Sequence, residues 1–274
     1  MTALPDPAYF VEVLAPALRQ AASIAHALEG RVENLPKSGE ATAVKQALTI
    51  ADTAAQEALL VPLREHFPQV ALQAEEDTTT ARSFANEGEA LVVVDPIDGT
   101  LHSYLRSEGP YAVMVGLAIR GRYEAALVAL PREGLFFDAV RGRGARVARA
   151  GAASRPAELD GTGSRLLVSH GMSPRVCSAV RAAGWEPAPA CGGAIAIAPL
   201  LRGVRGGLRR GTAAGGISVR GRIGLLITRE AGGRALAACS GEAFPDDLET
   251  PCAELAVAGD PAEAKMLADL YCGH

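Results

Sequence analysis

The sequence predicts an α/β protein, and three observations carry that reading. Apolar residues recur at helical spacing across residues 7–29, a β-branched apolar run at Leu91–Val94 empties into an acidic turn, and three apolar segments follow between residues 111 and 140.

Taken in order, Phe10, Val11, Leu14, Leu18, Ala21, Ala22, Ala25 and Leu28 stand three and four apart, the pattern of an amphipathic helix. Pro7 suits its first turn, Pro16 inside it predicts a kink or an earlier break, and Gly30 stops it. Residues 34–47 lose all periodicity and read as a loop. A second helix over residues 51–66 opens at Asp52 as its cap, buries Leu59, Leu60 and Leu63, and bends at Pro62. Val70–Gln73 is a short strand with Glu75 at its exit. Residues 111–119, 122–130 and 134–140, split by Arg120-Gly121 and Pro131-Arg132-Glu133, predict an antiparallel meander. The polar stretch from Gly142 to Gly163 reads as a long connection dividing a first half, 1–150, from a second, 151–274. The second half opens with a strand at Leu166–Ser169 and a helix near Pro174–Ala183, and Trp185 at the following turn is expected to pack rather than recognise.

Composition narrows the class. With 49% hydrophobic and 21% charged residues, the chain is an ordinary globular one, and aromatics at 4% leave its core to Ala, Val, Leu and Ile. A net charge of -4 gives no general case for a nucleic acid polymer or an anionic membrane as partner. Five cysteines without zinc-type spacing suit reduced thiols, and neither a signal segment nor a bilayer-length apolar run is visible, so a cytoplasmic location is expected.

The chemistry gathers at LVVVDPIDGT, residues 91–100. Asp95 and Asp98 leave the core together around Pro96, and two carboxylates at a core edge cannot both stay ionised without a positive partner; a hard divalent cation is the commonest. Asp, Pro and Gly in such numbers also simply turn chains, so the motif alone leaves both readings open.

DPIDGT after an apolar strand resembles the signature of the inositol monophosphatase family, within the lithium-sensitive, magnesium-dependent phosphatases that include fructose-1,6-bisphosphatases. Ala74-Glu75-Glu76 resembles that family's Gly-Glu-Glu, Thr49-Ile50-Ala51-Asp52 its Thr-x-x-Asp, and Arg229-Glu230-Ala231-Gly232-Gly233 its closing Glu-Ala-Gly-Gly turn. The resemblance implies an α/β/α/β/α layered sandwich, a homodimer, and hydrolysis of a small phosphorylated metabolite, a sugar or inositol phosphate, by a water activated by Mg²⁺, with Mn²⁺ an alternative. It further implies that Glu75, Asp95 and the Ile97 carbonyl hold the first metal and that Asp95 and Asp98 reach toward a second. Thr100 with Asp52 would orient the water. The Gly99 and Thr100 N–H groups would receive phosphate, and Gly193 and Ala194, in a segment like the family's Gly-Ser/Thr-Ala-Ala, would lie along the substrate. Lys45 is the nearest match to a lysine that family members carry in the preceding loop.

Two departures stand out. Leu101-His102-Ser103-Tyr104 replaces the usual sequence after the signature, and His102 is expected to face solvent. More consequentially, Val219-Arg220-Gly221-Arg222-Ile223 stands where the family has Trp-Asp-x-Ala-Ala, putting Arg220 in the place of the aspartate that completes the second metal site. A guanidinium repels Mg²⁺. Three outcomes are open. Arg220 takes over part of the second metal's work and contacts substrate, or the chain binds or regulates through an anionic ligand without hydrolysing it, or Asp246 or Asp247 fills the gap. Arg202, Arg205, Arg209 and Arg210, with Arg220 and Arg222, also suggest a substrate with more than one anionic group, a bisphosphate or a phosphonucleotide.

Overall fold

The first helix, α1 (Pro7–Leu28), forms because Asp6 accepts the Ala8 N–H at 2.9 Å and Pro7 fills the first turn. It runs unbroken through Pro16: Leu14 before the proline and Ala17 and Leu18 after it are all buried, and that packing outweighs the ~3 kcal/mol an internal proline costs. The expected break is therefore absent. The second helix, α2 (Ile50–His66), is capped by Thr49 rather than by Asp52. Asp52 lies three residues in, where its Oδ2 accepts both the Thr49 N–H and hydroxyl at 2.7 Å while Thr49 Oγ1 accepts from Ala51. This reciprocal box corrects the cap predicted from sequence.

The computed structural model describes residues 4–35, 48–160, 162–211 and 216–273. Lys45 and most of the loop expected at 34–47 lie outside the described residues.

Seven strands, β1 (Ala71–Gln73), β2 (Ala90–Asp98), β3 (Ala112–Ile119), β4 (Arg122–Leu130), β5 (Leu135–Val140), β6 (Ala145–Arg149) and β7 (Arg155–Pro156), form the first sheet in chain order. β1 and β2 are parallel and the rest antiparallel. The meander holds and extends: β6 and β7 occupy part of what reads in sequence as a connection.

The second sheet contains β8 (Arg165–Ser169), β9 (Glu186–Ala190), β10 (Val204–Arg210), β11 (Arg234–Ala237) and β12 (Glu254–Ala258) in the order β11-β12-β10-β8-β9. β9 reads EPAPA; its two prolines are tolerated because it lies at the sheet edge. β10 is hidden in sequence by its arginines and glycines. Those glycines are demanded by close approach, since a Cβ on Gly206 would stand 2.3 Å from the Val257 carbonyl oxygen and one on Gly207 2.7 Å from Ile195.

Helices α1 and α2 cover one face of the first sheet, with Leu14, Leu59, Val92 and Val113 in the core between. Helices α4 (Gly192–Ala196) and α5 (Ile223–Glu230) lie between the sheets, where Met114, Ile195, Leu226 and Leu255 meet. Helices α3 (Pro174–Ala182) and α6 (Pro261–Cys272) close the outer face over Val180, Leu208 and Leu267, and Trp185 packs there as expected. The order is α/β/α/β/α. All five cysteines are free thiols, and among the described residues no helix is long and apolar enough to cross a membrane.

Candidate active site

Strand β2 delivers the acidic pair. It does not end at Val94: pairing with β3 continues to Asp95 opposite Met114, slips, and resumes with Asp98 opposite Ala112. Residues three apart in a regular strand face opposite sides, and the slip turns both carboxylates toward the helices between the sheets. DPID is thus the irregular end of a strand rather than the loop it resembles in sequence. Gly99 follows with φ +92°, and a Cβ there would meet Cys191 Cβ at 2.8 Å, so only glycine makes the turn.

Thr100 opens a wide helical turn, Thr100–Leu105, whose first N–H groups have no partner within the turn. Its hydroxyl lies 2.8 Å from the Ile97 carbonyl and 3.1 Å from Asp52 Oδ1. Asp52 thereby spans the α2 start and the end of the signature. Burial raises the Asp52 carboxyl to about 6, against the Thr49 hydrogen bonds that pull it down.

Glu75 leaves β1 beside Asp95. Its neighbour Glu76 is clamped by Gln56, which donates to the Glu76 carbonyl at 2.7 Å and accepts its N–H at 2.8 Å. Nothing in the sequence singled out Gln56. Asp95 is buried, and burial first, then Glu75 and Asp98, push its carboxyl well above the usual range although Arg220 opposes them. Among the described residues its Oδ1 has no hydrogen-bond partner. Asp98 Oδ2 accepts the Gly193 N–H at 2.5 Å, and the Ala194 N–H goes to Cys191 Sγ at 3.4 Å. The backbone N–H groups of Gly193 and Ala194 are therefore engaged within the protein, and both residues are buried beside Asp98.

Arg220 reaches the carboxylates themselves, with Nε 3.6 Å from Asp95 Oδ2 and Nη2 3.8 Å from Glu75 Oε1. Burial pulls its guanidinium down, but Asp95, Glu75 and Asp98 together outweigh that and hold it above its ordinary value. Neither proposed substitute acid comes near: Asp246 pairs with Arg141 and Arg229, and the Asp247 carboxylate accepts the N–H groups of Glu249 and Thr250.

The arginine cluster is not one patch. Arg205 pairs with Glu263 on α6, and Arg222 is buried, donating to the carbonyls of Ile217, Asp247 and Thr250. Arg209 lies beside the Arg220 segment. It donates to the Gly221 carbonyl at 2.8 Å and fills the space where side chains on Gly192 and Gly221 would otherwise stand. His102, expected to face solvent, is instead stacked on His170 and hydrogen-bonded to Glu108.

Five layers with carboxylates gathered at the irregular end of β2 make this the fold class of the metal-dependent phosphatases. The chain belongs to the inositol monophosphatase family, whose model matches residues 10–184. Among solved structures it is similar to the Thermotoga maritima IMPase, with a TM-score of 0.73 at 17% identity over 96% of this chain and 98% of that one. It is equally similar to the extragenic suppressor protein suhB of Bartonella henselae, with a TM-score of 0.74 at 17% identity over 95% and 98%. Curated relatives named Nus factor SuhB match less of the chain. The Escherichia coli K12 protein is 30% identical over 36% of each chain, and the Pseudomonas aeruginosa protein 34% identical over 43% of this chain and 45% of its own length.

Proposed function

We propose that the chain is a phosphomonoesterase for a small phosphorylated metabolite, using one hard divalent cation, Mg²⁺ or Mn²⁺, with Arg220 in place of a second. The observation that carries this reading is Asp95 Oδ1, a buried carboxylate oxygen with no hydrogen bond among the described residues. Leaving such an atom unmet costs on the order of 1–3 kcal/mol or more, and a cation meets it. The donors fit one: Glu75, Asp95 and the Ile97 carbonyl offer oxygen alone, the preference of Mg²⁺, and Glu75, Asp95 and Asp98 outnumber the single positive charge of Arg220. Room for a second is reduced because Arg220 already faces Asp95 Oδ2.

When bound there, the cation supplies Lewis acidity toward water and phosphate. The rest is the chain's own work. Thr100, held between Asp52 and the Ile97 carbonyl, offers its hydroxyl oxygen to orient a water, and the ionised Asp52 accepts the Thr100 hydrogen bond that turns that oxygen toward the water. The N–H groups of Gly99 and Thr100 receive phosphate oxygens at the start of the turn. Arg220 offers its guanidinium to charge developing on the ester, and Arg209 offers a cation for a second anionic group on the substrate. In this reading residues 1–150 form the half that holds the cation, and residues 151–274 bring Gly193, Ala194, Arg209 and Arg220 to the substrate.

The test is phosphate release from a panel of sugar phosphates, bisphosphates and nucleotide phosphates, with Mg²⁺, Mn²⁺ or a chelator, by the natural chain and Asp95→Asn. Release that needs metal and vanishes in the variant is expected. The contact of Arg220 with two metal-ligand candidates supports a second reading, a protein that binds an anionic ligand without hydrolysing it. The name Nus factor carried by the curated relatives also fits a regulatory role. Tight phosphate binding with no release from any ester would select that reading.

A further inference from the structure

We propose that His102, Glu108 and His170 form a second metal site, chemically distinct from the carboxylate centre and suited to a borderline transition ion such as Zn²⁺. One nitrogen from each ring and a Glu108 carboxylate oxygen lie within 4.8 Å of one another. Two imidazoles and a carboxylate are a donor set that zinc, cobalt and nickel take in preference to magnesium, and three protein ligands leave a fourth position for water.

The hydrogen bonds already prepare the ligands. His170 Nε2 lies 2.6 Å from the Glu108 carbonyl oxygen, which can only accept, so that nitrogen carries the proton and Nδ1 keeps its lone pair. A histidine that donates its far N–H to a backbone carbonyl is the usual support of a metal ligand, because it fixes tautomer and ring direction together. His102 Nδ1 lies 2.7 Å from Glu108 Oε2, and an ion entering there replaces the proton between them.

The two rings stack at 4.6 Å between centroids and 15° between planes, so both must rotate out of the stack before each can aim an in-plane lone pair at one ion. The side chains of His102 and Glu108 are 27% and 44% exposed and free to do so. The cluster borders a cleft of about 320 Å³ whose walls include Met172, Cys177, Arg181 and Pro189, open enough for water to complete the coordination. His102 lies within the turn that Thr100 opens and His170 follows β8, so a bound ion ties that turn to the second sheet.

The test is calorimetric titration of the full chain with Zn²⁺ alone as probe, in excess Mg²⁺ to saturate the carboxylate centre, with melting temperature as a second readout. One equivalent of Zn²⁺ is expected. Affinity should fall at least ~100-fold in His170→Ala and in Glu108→Gln, with loss of the zinc-induced rise in melting temperature, and Asp95→Asn should bind as the natural chain does. His102→Gln replaces His170→Ala if the latter melts early without zinc. No zinc bound by the natural chain overturns the proposal. So does undiminished binding by His170→Ala, which would place the ion on thiols, or its loss in Asp95→Asn, which would place it among the carboxylates.

Discussion

Arg220 Nε stands 3.6 Å from Asp95 Oδ2, while the other oxygen of the same carboxylate is buried without a hydrogen-bond partner among the described residues. The distance is that of an ion pair and too long for a direct hydrogen bond, so the guanidinium balances charge without saturating the carboxylate. One side of Asp95 is answered by the protein and the other is left for a cation.

Arg220→Asp should convert a one-metal site into a two-metal site. Titration with Mg²⁺ or Mn²⁺ should give one equivalent for the natural chain and two for the variant, and lithium inhibition, which the family resemblance ties to the second metal, should strengthen. Strong lithium inhibition of the natural chain would count against the placement of Arg220. In chelator, Arg220→Ala should lose about 1–2 kcal/mol, a discount from the ~3–5 kcal/mol of a dry pair because the Arg220 side chain is 30% exposed.

Asp52 predicts a pH dependence with a definite sign. Its carboxyl rises from an ordinary 3.8 to about 6 in the folded chain, so the native state holds the proton more tightly than the unfolded one. Metal-free stability contributed by this group therefore falls as pH rises between those values, by at most about 3 kcal/mol, and is level above them. Activity should move oppositely, rising through pH ~6 as Asp52 becomes able to accept from Thr100. Urea melts in chelator and a pH–rate profile check both; Asp52→Asn should flatten the stability trend and lose the acid limb.

Gly193→Ala should damage packing and positioning at once. The new Cβ would stand 2.5 Å from Met114 Sδ and 2.9 Å from Ala112 Cβ, and it would press on the carboxylate that accepts the Gly193 N–H. A loss of about 1–3 kcal/mol in denaturant melts is expected, with reduced kcat. Adding Met114→Ala should recover part of the stability, and strict additivity of the two changes would show that the sulfur is not what the Cβ meets.

Arg222 and Arg209 should separate a structural role from a binding one. The Arg222 guanidinium donates to three carbonyls at 2.7 to 3.1 Å and lies 5.3 Å from the Phe244 ring centre. Arg222→Leu strands those carbonyls and should cost about 3 kcal/mol with KM unchanged in the folded fraction. Arg209→Ala should raise KM for esters with a second anionic group, with a stability loss smaller than that of Arg222→Leu because one carbonyl, that of Gly221, loses its donor. Equal effects of Arg209→Ala on singly and doubly anionic esters would remove it from substrate recognition.

The sequence by itself determined the α/β class, the meander, both N-terminal helices, and the signature that places Asp95, Asp98 and Thr100 at a strand end. Each of these depends on residues within a few positions of one another, through periodicity or turn chemistry, and such short-range physics is written in order. What only the tertiary structure decided involves partners far apart in the chain. Arg220 and Arg222 sit two residues apart and look alike in sequence, yet one faces Asp95 and Glu75 while the other is buried against carbonyls up to 28 residues downstream. The Gly206-Gly207 strand is legible only once Val257 and Ile195 press against it, and the His102–His170 pair only once β8 lies beside the signature turn. Whether a charge meets a carboxylate, a carbonyl or water depends on which groups the finished fold has removed from solvent, and that is a property of the whole packing rather than of any stretch of chain.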